Sequence, residues 1–139
     1  MKINRRSQLR EAVFLLLFRA DYYDLKEMKD QIRDFFLDED EFTEDEIQYI
    51  ADRVLNICEK LEIIDEKLDE ISVGWKVRRM TRSDLTALRL AYYEINYDES
   101  VPVAAAINEA VELAKNYGTE NSGSFVNGIL AKVAANAGK

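Results

Sequence analysis

Histidine is absent from this 139-residue chain. Its absence excludes Ser–His and Cys–His nucleophile pairs, histidine acid–base catalysis, most zinc sites and the Glu-x-x-His pairs of di-iron bundles. A single cysteine, Cys58, excludes an internal disulfide and fits a reducing cytoplasm. It falls in a helical heptad beside core positions, which predicts a buried, inert thiol. No glycine-rich phosphate loop is present: Gly118-x-x-x-x-Gly123 lacks the Lys and Ser/Thr that should follow. The longest apolar run, Ala12 to Phe18, is seven residues, whereas a membrane helix needs about 20. Arg19 and Asp21 follow it with no small-residue cleavage site, so it reads as a core helix rather than a leader. Glu109 and Glu112 lie three apart among 27 acids. Nothing electrophilic accompanies them, and salt links to nearby bases are the plain expectation. These features predict a non-enzyme of the cytoplasm, with no cofactor, no metal and no membrane partner.

What the chain does have is 47% hydrophobic and 33% charged residues, a globular mix at the length of one domain, 1–139. The net charge is −8, which at first argues against nucleic acid. The charge is unevenly spread. Residues 1–23 hold five bases and two acids, residues 24–70 six bases and 18 acids, and residues 71–139 eight bases and seven acids. The N-terminus is therefore a local basic patch, read either as a solvated helix end or as a polyanion contact.

With one proline and five glycines, helical spacing recurs along the whole chain and strand-like alternation does not. About seven helices are expected. The first runs roughly from Asn4 to Tyr22, with Leu9, Ala12, Val13, Leu16, Leu17 and Ala20 inward. The second covers Leu25 to Leu37, with Leu25, Met28, Ile32, Phe35 and Phe36 inward, and the acidic loop Asp38–Glu41 follows. Thr43 and Glu46 form a capping box. Ile47, Ile50, Val54, Ile57, Leu61, Ile64, Leu68 and Ile71 then make a heptad seam, for bundle packing or a coiled-coil dimer, with a break expected near Glu62. Ser72 to Met80 is a connector. Thr81 and Asp84 are positioned to cap a helix from Arg82 to Asn96. Ser100 and Pro102 start another, with proline in its first turn, and Gly118 should end it in a left-handed conformation. Asn121 or Ser122 caps the last helix.

Four blocks stand out in the sequence. They are Arg5-Arg-Ser-Gln-Leu-Arg-Glu-Ala12, Leu88-Arg-Leu-Ala-Tyr-Tyr-Glu-Ile95, Ile107-Asn-Glu-Ala-Val-Glu-Leu-Ala-Lys115, and Tyr117-Gly-Thr-Glu-Asn-Ser122 followed by Phe125-Val-Asn-Gly-Ile-Leu130. In this order and spacing the chain resembles the bacterial NusB family over nearly its whole length. The resemblance implies an all-α fold of two packed helical subdomains with a long, central first helix. It implies transcription antitermination: binding of single-stranded boxA RNA of ribosomal transcripts together with a small-subunit ribosomal protein (NusE), and assembly with other Nus factors on RNA polymerase. The matched RNA-binding positions are Arg5, Arg6, Arg10, Asn121, Ser122 and Phe125. Cations would hold phosphates, and Phe125 would either stack on a base or pack in the core. The matched partner-binding positions are Phe18 and Asp84, with a helix cap as the other role of Asp84. Phe18 stands where the family often has tyrosine and lacks a hydroxyl. Family members include dimers, so a homodimer is left open. The rival functions are a protein-only helical adaptor and the RNA-binding domain of a ribosomal RNA cytosine methyltransferase. The absence of a Rossmann-like glycine motif before Lys139 argues against the latter.

Overall fold

The computed structural model describes residues 5–138. Among them the regular structure is seven α-helices and one short 3-10 turn, with no strand. The expected all-α architecture is thus borne out. Asn4, placed at the start of the first helix from sequence, lies outside the described residues. The chain divides into two compact units, one ending at Lys60 and the other starting at Leu61.

The first unit holds α1 (Arg5–Leu17), α2 (Leu25–Phe35) and α3 (Glu44–Glu59), each packed on the other two. Val13, Phe14, Leu16 and Leu17 of α1, Met28 and Ile32 of α2, and Ile50, Val54 and Ile57 of α3 are buried. Apart from Phe14, which the sequence reading did not place inward, their three- and four-residue spacings are the stripes seen in the sequence, while Leu9 and Ala20 are only half-buried. The first helix ends earlier than expected, at Leu17 rather than Tyr22. After Leu17 the backbone tightens: Arg19 N–H bonds to Leu16 O and Ala20 N–H to Leu17 O, both at 3.0 Å. This i→i−3 pattern unwinds the helix into turns well before Tyr22. Helix α2 begins with a capping box absent from the sequence reading, Asp24 with Glu27, and ends at Phe35 rather than Leu37. Leu25 is exposed, not inward. It occupies the first helical position at the edge of the packing, and Met28, Ile32 and Phe36 form the inward line instead. The Thr43–Glu46 capping box is present as expected. The heptad seam breaks at Lys60, whose N–H turns back to Ile57 O, two residues before Glu62. Cys58 is half-buried rather than buried, because it borders the stripe on which Ile57 is enclosed.

The second unit holds α4 (Leu61–Ile71), the 3-10 turn Val77–Arg79, α5 (Arg82–Tyr97), α6 (Val103–Tyr117) and α7 (Ser122–Asn136). Helix α5 packs on α4, α6 and α7 and is buried without interruption from Ser83 to Ile95. Such burial is costly for its polar residues unless they are satisfied. Thr86 donates to Arg82 O at 2.7 Å, and Arg89 grips Asp65 of α4 through Nε at 2.8 Å and Nη2 at 2.6 Å. Thr81 caps α5 by accepting from Asp84 N–H. Pro102 sits at the cap of α6, one residue before the helix. Gly118 ends α6, but with φ −110° and ψ −147° it is not left-handed. Space explains the glycine: a Cβ there would overlap Ser122 Oγ and approach Ala114 O to 2.7 Å.

Candidate nucleic-acid interface

Two sequence segments were expected to contact RNA, and each unit carries one. In the first unit, α1 opens with Arg5 and Arg6 because the apolar stripe starts only at Leu9. No acidic residue occupies the first turn of α1 as described, a turn whose charged side chains are basic. Arg5 is engaged within the protein. Its Nε reaches Glu46 Oε2 at 2.5 Å and its Nη2 reaches Glu41 O at 3.0 Å, while the guanidinium lies over the Phe42 ring at 4.9 Å. Glu46 also accepts from Thr43 N–H at 2.9 Å, so one carboxylate closes the α3 cap and anchors α1. Arg6 is exposed and Arg10 half-buried; each has protein contacts of its own. The spacing of four puts Arg6 and Arg10 on one face of α1.

The Arg5 guanidinium, followed by the Thr43 N–H, holds the Glu46 carboxyl at about 2, against 4.5 for an unperturbed glutamate. A value lowered on folding contributes stability that is complete above about pH 4.5 and disappears as the pH falls toward 2. Thermal midpoints measured from about pH 5 down to pH 2 should therefore fall more steeply for the natural protein than for Glu46→Gln. Parallel curves would show that the pair adds nothing.

In the second unit the start of α7 is set by Ser122, whose Oγ accepts from Thr119 N–H at 2.9 Å. Ser122 is 1% exposed and its N–H bonds Thr119 O at 3.1 Å, so it shapes the turn from inside and, contrary to expectation, offers a ligand almost no surface. Asn121 occupies the cap position with helical φ and ψ and makes no side-chain cap bond. Asn121 stands at the cap as expected, but its exposed amide is not committed to the helix start. Phe125 is half-buried. Val126, Ile129 and Leu130 fill the inward face of α7, as the spacing predicted. The Phe125 ring meets Trp75 edge-on, with centroids 5.7 Å apart and planes at 77°. Trp75 is 54% exposed. It stands outside the site residues named from sequence, although an aromatic followed by Lys76, Arg78 and Arg79 in a connector is a legible signal.

A family model described as the NusB family matches residues 7–135. The chain belongs to the NusB family. It is 46% identical over 132 residues to the transcription antitermination protein NusB of Agathobacter rectalis, covering 93% of this chain and 98% of that protein. It is also 46% identical over 128 residues to its namesake in Lachnoclostridium phytofermentans, covering 92% and 97%. Among solved structures, NusB of T. maritima superposes with a TM-score of 0.81 at 35% identity, covering 97% of this chain and 93% of that one. A chain from a complex of NusB and NusE with double-stranded RNA shares the fold with a TM-score of 0.79 at 24% identity, covering 94% and 96%.

Two further positions were matched to a protein partner of NusB. Phe18 is half-buried and meets Phe14 edge-on at 4.9 Å. Asp84 is 8% exposed, and its Oδ1 is buried with no hydrogen-bond partner among the described residues. Its side chain does not close a capping box with Thr81. No cluster of metal-ligating side chains and no helix long and apolar enough to cross a membrane occurs among the described residues.

Proposed function

We propose that this NusB-family chain is a non-enzymatic transcription antitermination factor of the bacterial cytoplasm. It binds the single-stranded boxA element of ribosomal RNA transcripts together with a small-subunit ribosomal protein, NusE, and joins other Nus factors on RNA polymerase through that complex. The observation that carries the reading is the half-exposed Phe125 at the start of α7, a ring that the packing of its own helix does not require. Unpaired bases stack on such rings, each worth about 1–3 kcal/mol. Asn121 would meet base edges or phosphates, on a turn that the enclosed Ser122 holds in place. In the first unit Arg6 and Arg10 would hold phosphates, while Arg5, whose three nitrogens already bond Glu46, Gln8 and Glu41 O, would add its positive charge beside them.

Phe18 and Asp84 are assigned to the ribosomal partner. A donor from that partner would satisfy Asp84 Oδ1, which requires the carboxylate to turn outward. Because the cationic patch is small, RNA affinity of the protein alone should be modest and salt-sensitive. A partner bound to the same strand raises the effective affinity.

The test is a gel shift with boxA RNA, with and without the ribosomal protein. A shifted band should appear and sharpen when the partner is added. Arg6→Ala should weaken binding and reduce the slope of log affinity against log salt by about 0.7, the share of one phosphate contact on a single strand. A partner complex that forms normally but never shifts the RNA would favour the protein-only adaptor.

A further inference from the structure

Three cations lie close together in the connector between α4 and α5: Lys76, Arg78 and Arg79. All three are exposed. Several cations elsewhere in this acidic protein are matched by carboxylates, as in Arg5–Glu46, Arg33–Asp30, Lys67–Glu70 and Arg89–Asp65. No ion pair engages any of the connector's three among the described residues. With 27 acids to 19 bases in the chain, an unneutralised group of three is a local reversal of the protein's field.

The backbone that carries them is tied down. Trp75 N–H donates to Ser72 O at 2.9 Å, and Ser72 Oγ lies 2.6 Å from both Leu68 O and Trp75 O. Val77 N–H donates to Asp69 Oδ1 at 2.7 Å. Gly74 takes φ +88° to make the turn, a conformation that L side chains rarely adopt. The exposed Trp75 ring and the three cations therefore project from an ordered turn, so less conformational freedom is lost when they bind.

A flat ring beside unneutralised cations is the chemistry that holds an unpaired nucleic-acid strand. We propose that this connector is a second RNA-contact element: Trp75, beside Phe125, stacks on an unpaired base, and Lys76, Arg78 and Arg79 hold phosphates. The proposal rests on the RNA-binding reading above and adds residues that neither the sequence reading nor that proposal assigns.

Trp75 is the only tryptophan, so its emission reports this element in the natural protein. Titration of the full chain with unlabelled single-stranded boxA RNA should quench that emission, with the same midpoint as anisotropy of a labelled copy. The triple variant Lys76→Ala, Arg78→Ala, Arg79→Ala should keep its thermal midpoint and its binding to the ribosomal protein. Its RNA affinity at low salt should fall tenfold or more, and its salt slope should drop by about 2, three single-strand phosphate shares. If RNA binds without changing Trp75 emission and the triple variant keeps the natural slope, the connector element is overturned while RNA binding stands. If the variant loses the ribosomal protein and not the RNA, the connector is a protein surface and the proposal is likewise overturned. If the natural protein with its partner binds no RNA, the underlying reading fails and takes the connector with it.

Discussion

Asp65→Ala should destabilise the second unit by about 3–5 kcal/mol, because removing one partner of an enclosed ion pair leaves the other charge stranded. Arg89 is 3% exposed and holds both carboxylate oxygens of Asp65. It sits mid-way along α5, where every residue from Ser83 to Ile95 is buried, so only water entering where Asp65 stood could replace the lost acceptor. The loss should lie toward the lower end of that range, since Arg89 has further contacts. Arg89→Met should cost less. The Asp65 side chain keeps 25% exposure and can hydrate once unpaired, while the methionine fills the vacated space with apolar atoms. Denaturant unfolding of both variants checks the order. Equal losses, or a larger loss for Arg89→Met, would mean that the pair is not the buried charge couple described.

Phe125→Leu should leave the fold nearly intact and weaken boxA RNA binding about 5- to 150-fold, the equivalent of about 1–3 kcal/mol per stacked base. Leucine preserves bulk against Trp75 and the first turn of α7 but has no π-face. The edge-to-face contact with Trp75 is worth about 0.5–1.5 kcal/mol beyond its buried area, so a small fall in thermal midpoint is expected and serves as an internal control. Inward packing of α7 rests on Val126, Ile129 and Leu130, which the substitution does not touch. Full RNA affinity in a folded Phe125→Leu protein would return Phe125 to a packing role only.

Much of the helical pattern was legible because local chemistry and packing agree. The Thr43–Glu46 box, the stripe from Ile50 to Leu68 and the inward face of α7 each read the same way by capping, spacing and burial. Errors gathered where tertiary geometry overrides a local rule. Gly118 looks like a left-handed cap, yet it is needed because Ser122 and Ala114 crowd its Cα. Ser122 looks like a cap residue at the surface, yet it faces inward to hold Thr119. The end of α1 at Leu17 depends on a tightening of backbone bonds that no residue between Phe18 and Tyr22 announces, since none is glycine or proline.

The candidate site was legible in its residue types but not in their commitments. Arg5, Arg6 and Arg10 look equivalent in the sequence. Only the fold shows that Arg5 is bound to Glu46, because the two lie 41 residues apart. The Asp65–Arg89 pair is hidden for the same reason, its members falling in separate helices 24 residues apart. Trp75 is legible only as an aromatic followed by cations, with no periodicity to mark it. Its meaning depends on the neighbouring Phe125 ring and on cations that find no carboxylate.

The most direct test of the RNA-adaptor account is an equilibrium competition. The complex of this protein with its ribosomal partner, on labelled boxA RNA, is challenged with unlabelled boxA RNA or with the same nucleotides in scrambled order. The account predicts that boxA displaces the label at far lower concentration than the scrambled strand, and that Phe125→Leu narrows this difference. Equal displacement by both strands, unchanged by the substitution, would contradict it.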